Sequence, residues 1–263
     1  GRLAPHCAHQ LDTSQAGIEP PNGGFHPIRD RFALRKFLRL SLQGLRWPLG
    51  AVTLFGLPAA LRVIWAEIHP MLHTDHWPFW AGFVGTLVLW TAWWKSTRWA
   101  RFITTIEHES LHAIVGMLTL IPVRELKVRE DGSGHVLFEP PGHWLLYLSP
   151  YFIPLLLLLE IGLTGLMGLP AWAERSLLGA LLGMSIVGHL RQIHPRQTDF
   201  RHAGRVFTLA FLPTAFLLAY GAAFTMLQTG QLGAIPGFLG AWGQSLLHDA
   251  QWTWLHLSQW WTG

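Results

Sequence analysis

Charge is scarce in this chain. Only 13% of its 263 residues are Asp, Glu, Lys or Arg, about half the fraction usual in soluble domains. A water-soluble globule draws its surface from those residues, so the shortage argues against one. Cysteine is scarcer still: Cys7 stands alone and excludes an internal disulfide. No basic and aromatic motif for DNA or RNA is present, and nucleic acid is not an expected partner. Residues 1–28 hold no apolar stretch of the kind found in secretory leaders, so none is expected there. The chain also lacks an internal repeat.

What the chain has in quantity is apolar. Half of the residues are hydrophobic, and 15 are tryptophan. Tryptophan collects at membrane–water boundaries, where its ring is half apolar and its N–H finds a polar partner. Apolar runs fall at 48–66, 78–94, 102–122, 144–168, 176–190 and 206–228. A spanning helix needs about 20 apolar residues. The expected fold is an all-α polytopic membrane protein with about six transmembrane or re-entrant helices.

The flanks and connections divide it further. Residues 1–28 are polar, rich in Pro and Gly, and read as a flexible tail. Residues 29–46, "RDRFALRKFLRLSLQGLR", put Phe32, Leu34, Phe37, Leu38 and Leu45 on one broad helical face. Arg31, Arg35, Lys36, Arg39 and Arg46 take the other, the pattern of a basic interfacial helix. Residues 47–230 would form the membrane-embedded body, and 235–263 a Trp-rich C-terminal interfacial helix. Within the body, 123–139 alternates apolar and polar about Asp131-Gly132-Ser133-Gly134 and reads as a β-hairpin. Leu126 and Val128 would share a face with Val136 and Phe138.

Basic residues suggest a cytoplasmic N-terminus and a cytoplasmic 95–101 loop, in a bacterial inner membrane. Arg191, Arg196, Arg201 and Arg205 place 191–205 on the same side. Two full crossings between 122 and 190 would forbid that. Either 144–168, broken by Pro150 and Pro154, or the short 176–190 run fails to cross.

At the start of the third run stands "HESLHA", residues 108–113. Positions i and i+4 share a helix face. His108 and His112 can therefore offer two imidazoles to one metal ion. Glu109, one step round, can reach a water on that ion without ligating it, as in H-E-x-x-H hydrolases. Three ionisable side chains in an apolar helix are costly unless they have work to do. A catalytic zinc takes three protein ligands and keeps one position open. Candidates for the third are His135, Glu139, His143, Glu160, His189, His194 and Asp199. Asp199 is preferred: it opens the last strong span in "HPRQTDFRHAGRVF".

The motif and the Pro/Asp segment after it resemble the site-2 protease family of intramembrane zinc metalloproteases, over roughly residues 100–210. The family's second motif is an Asn-x-x-Pro stretch ending in Leu-Asp-Gly, whose Asp completes the metal site. Here Pro195 lies four before Asp199, the Asn is absent, Phe200 replaces the Gly, and Leu111 stands where the family has Gly before its second His. The resemblance implies one Zn²⁺ per chain, held by His108, His112 and Asp199, with Glu109 as base. It implies that Gln192, His194 or Gln197 takes the Asn role toward substrate. Val136 and Phe138 would belong to a hairpin edge on which an unwound substrate adds as a strand. The partners implied are the lipid bilayer and a membrane protein or peptide substrate.

Two rival readings share these residues. His69, His73 and His76, with His108, His112, His189, His194 and His202, could be the histidine boxes of a di-iron desaturase or hydroxylase. A non-catalytic zinc-binding membrane subunit would use the ligands without the base.

Overall fold

A computed structural model describes residues 27–262, apart from 140–141, 164–165, 167 and 195–196. The expected tail, 1–28, lies almost wholly outside the described residues. Helices dominate, with one two-stranded antiparallel hairpin. In chain order they are α1 (Pro27–Phe55), α2 (Leu57–Ile68), α3 (Trp77–Ala92), α4 (Arg98–Leu118), β1 (Val123–Val128), β2 (Gly134–Phe138), α5 (Trp144–Leu148), α6 (Leu155–Leu163), α7 (Ala171–Gln192), α8 (Thr198–Ala203), α9 (Arg205–Thr229) and α10 (Ile235–Thr262).

Among these, α9 is the one helix long and apolar enough to cross a bilayer by itself. Two bent pairs, Ala33–Phe55 with Leu57–Leu72 and Trp144–Tyr151 with Leu155–Leu163, turn by 61° and 69° and raise the number to three if each is one span. The other expected spans do form helices. With 16 residues, α3 is about 24 Å long, short of a full hydrocarbon core. Both α4 and α7 carry acidic and basic residues along their length.

The basic segment 29–46 and the first apolar run are not separate. One helix, α1, passes straight through Pro48 and ends at Phe55. A proline removes one backbone donor and usually marks a boundary. Here Thr214 donates to the Thr53 carbonyl at 2.7 Å, and Thr53 donates to Ala210 O at 3.1 Å, so α9 holds α1 beyond the proline. The tail helix forms as expected at 235–262. Its first half is fastened by Trp242 Nε1–H to Gly56 O and by Arg62 to Asp249.

Small residues set the frame. On α7, Gly179 and Gly183 lie four apart and face α3. A Cβ on Gly179 would collide with the Phe79 carbonyl, and one on Gly82 with the Ser176 carbonyl. Side chains this small let two backbones touch, the usual device where apolar surroundings give helices no hydrophobic reason to associate. Phe79, Leu178, Leu182, Tyr220 and Phe224 close the core between α3, α7 and α9.

The ends of α7 fix the traverses. Arg175, near its start, donates to Asp75 O; Arg191, near its finish, donates to Lys95 O at 3.0 Å. The 95–101 and 191–205 loops therefore share one end of the molecule. Between α4 and α7 the 144–163 run bends, and Leu156 N–H is held at 3.1 Å by Glu107, half-way along α4. The proline-broken run is thus bent by 69° between Tyr151 and Leu155. The cause is local: Pro150 and Pro154 withdraw two donors from what would be one helix.

The hairpin folds along α4 rather than away from it. Leu126 pairs with Val136 and Val123 with Phe138, with an irregularity between Val123 and Glu125. Thr105 donates to Gly132 O at 2.8 Å and Arg101 to Asp131 O at 3.3 Å, tying the turn to the first half of α4. Gly132, at φ +84, would drive a Cβ into Arg101, so the turn needs glycine there. Glu139 closes the hairpin's base between Arg124 and Arg35, whose guanidinium groups hold its carboxyl below the ordinary carboxylate range.

Candidate metal centre

Thr97 caps α4, its hydroxyl accepting from Ala100 N–H at 3.1 Å. From that cap the helix runs unbroken through the histidines. Their rings meet edge to face on one side of α4, with centroids 4.9 Å apart. Asp199 arrives from α8, a short helix wedged into the core by Phe200 and Ala203. Gly204, at φ +91, lets the chain turn from α8 into α9, and the Arg46 guanidinium fills the place a side chain would take. The result brings together His108, His112 and Asp199, whose ligand atoms all lie within 4.8 Å of one another. Among the described residues it is the one such group of three.

The polar partners decide what these donors can do. His108 Nδ1 lies 2.6 Å from Gln192 Oε1, and His112 Nδ1 lies 2.8 Å from the Leu146 carbonyl. Both partners are acceptors, so each Nδ1 carries the proton. Each Nε2 then keeps its lone pair, and both point at Asp199 Oδ2, at 3.7 Å. Donors about 2.0–2.1 Å from a tetrahedral ion are separated by about 3.3–3.4 Å. The two histidine–aspartate distances exceed that by a few tenths of an ångström, and all three donors lie within 4.8 Å of one another, so the residues fit a tetrahedral divalent metal. Asp199 Oδ2 also accepts from the Tyr151 hydroxyl at 2.7 Å, a hydrogen bond that favours the ionised carboxylate over the acid.

Glu109 stands beside the donors and does not join them. With His108, Gln192 and Gln197 it lines a cavity of about 230 Å³, floored by Gly132 and Gly134 of the hairpin. A Cβ on Gly134 would lie 3.0 Å from the Glu109 Cγ, so the glycine makes room for the carboxylate. The cavity is polar and opens at the end where the basic loops meet.

The remaining expected residues fall at varied distances from this centre. Phe138 packs its ring 6.1 Å from that of His112, and Val136 is half-buried in β2. Gln197 lines the cavity and donates to Gln192 O at 3.1 Å. His194 is exposed and is not among the cavity's lining residues. The other candidate ligands are engaged elsewhere: His143 caps α5, His189 meets Tyr220 at 2.7 Å, and His135 lies 3.8 Å from Glu125. His69 and His73 pack on each other near the Arg175 end of α7, roughly 25 Å along that helix from Gln192. They cannot share an ion with His108.

Sequence reasoning missed Tyr151, the Leu146 carbonyl and Gln192 as orienting partners. The break at Pro150 was the available signal, since a chain that stops being helical beside a metal motif presents carbonyls to it. Such partners fix ring orientation and raise donor basicity. Gln192→Leu is expected to weaken metal binding by about 10–100-fold, measured by competition with a chromophoric chelator. Unchanged affinity would show that His108 needs no help in holding its tautomer.

No protein-family model, curated protein or solved structure matches this chain.

Proposed function

We propose that this protein is a zinc-dependent intramembrane peptidase that hydrolyses peptide bonds within or beside membrane segments of other proteins. The observation that carries the reading is the convergence of two Nε2 lone pairs and an ionised Asp199 next to a cavity that Glu109 lines. The donor set, two imidazoles and a carboxylate, suits zinc. The likeness of "HESLHA" to the site-2 protease motif points the same way.

When bound, zinc would polarise the scissile carbonyl and acidify a water. The chain's own residues would do the rest. Glu109 takes a proton from the attacking water as its oxygen bonds to the carbonyl carbon. The same carboxyl then gives that proton to the amide nitrogen as the C–N bond breaks. Gln192 and the Leu146 carbonyl keep the imidazoles oriented, and Tyr151 steadies Asp199. An extended substrate would pair with the hairpin near Val136 and Phe138, since a helical one offers no free backbone to attack.

In this reading α1–α2, α3, α4, α5–α6, α7 and α9 are six transmembrane or re-entrant passes of a bacterial inner-membrane protein. The N-terminus is cytoplasmic. The exposed Leu34, Phe37 and Leu40 of α1 and Trp252, Trp254, Trp260 and Trp261 of α10 would rest in the interface.

Metal removal tests the proposal. The full chain, purified in detergent, is expected to carry one zinc by mass spectrometry and to cut a reconstituted transmembrane peptide. Phenanthroline should abolish cutting, and added zinc should restore it. Iron with oxygen-dependent chemistry would replace this reading with the oxygenase one. Stoichiometric zinc with no cleavage across a panel of membrane peptides would favour a non-catalytic subunit.

A further inference from the structure

Beside α9 lies a second hollow, an apolar groove of about 540 Å³. Along α9 its lining recurs at Leu209, Leu212, Phe216 and Leu217, one face of the helix, and Leu190 and Ile193 of the α7 end close the other side. It shares no lining residue with the polar cavity. Leu209 is 75% exposed, so the groove opens sideways from the helix that is apolar enough to span a bilayer.

One end is charged. Arg205 lines the groove at the first turn of α9, and among the described residues it has neither a hydrogen bond nor an ion pair. Arg201 is exposed one helix earlier, and the Arg46 guanidinium packs against Gly204 between them. From Arg205 to Leu217 the helix rises about 18 Å, close to the half-thickness of a hydrocarbon core. A length of about half a bilayer, an apolar lining and a single charged end match an extended acyl chain carrying an anionic headgroup.

We infer that this groove binds one acyl chain of an anionic phospholipid, with the headgroup phosphate at Arg205. The site stands independently of the hydrolytic reading, since it uses none of the metal donors or Glu109. It touches them at one remove: Phe200 lines the groove and packs on Tyr151, with ring centroids 4.6 Å apart, and Tyr151 holds Asp199. An occupied groove supports the wall behind the metal carboxylate.

The test is lipid retention by the full chain in dodecylmaltoside micelles doped with equal phosphatidylglycerol and phosphatidylcholine of identical acyl chains, read by native mass spectrometry. The wild type should retain phosphatidylglycerol over phosphatidylcholine by about fivefold, the factor one arginine contributes at an anionic surface. Arg205→Gln should erase that preference and Arg205→Lys should keep it. Leu209→Trp, which fills the groove from its open side, should lower retention of both lipids. Equal retention of the two lipids by the wild type would overturn the proposal. So would undiminished phosphatidylglycerol on both Arg205→Gln and Leu209→Trp, or a copurifying polypeptide that Leu209→Trp displaces.

Discussion

Glu109→Gln is expected to leave one zinc per chain in place and to lower peptide cleavage by about 10²–10⁴-fold, the range a positioned general base contributes. The change is nearly isosteric and removes only the proton acceptor. The side chain lines the polar cavity without being one of the three convergent donors, so the metal should not notice its loss. Two measurements on one preparation decide the matter: zinc per chain and the rate of cutting a reconstituted transmembrane peptide. A variant that keeps both zinc and cleavage would strip Glu109 of its role. A variant that loses zinc would make it a ligand, which its place beside the donor group argues against.

Asp199→Ala should cost more in metal than any orienting partner does. Loss of an outer partner weakens metal binding by about 10–100-fold, and removal of one of three donors is expected to exceed that. The aspartate also answers Tyr151, whose buried hydroxyl would lose its acceptor at a cost of about 1–3 kcal/mol. Metal content and the thermal transition should therefore fall together in Asp199→Ala. Asp199→Asn separates the two, because the amide can still accept from the tyrosine while binding zinc poorly. Full zinc retention in both variants would move the third ligand elsewhere in the chain.

Much of this centre could be read from spacing. Histidines four apart on a helix must share a face, and that reading needs no tertiary information. The hairpin was legible too, from alternation about a Gly-containing turn, and so was the tail helix. Asp199 was a choice among seven residues in the sequence, since nothing in spacing brings α8 to α4. The burial of Phe200 and Ala203 against Trp144, Phe207 and Phe211 does that, and such contacts are long-range. Tyr151 and the Leu146 carbonyl stayed hidden for the same reason. The basic pattern stops at 46, yet the hold of α9 on Thr53 carries one helix through Pro48 to Phe55. The bends within the apolar runs were not legible, because composition cannot see a 69° elbow.

Glu107 and His108 are neighbours in the chain, and the first holds the opening amide of α6. The elbow after Tyr151 is therefore hinged on the same helical turn that presents an imidazole. The bend of the 144–163 run and the seat of His108 are thus tied together through one buried carboxyl.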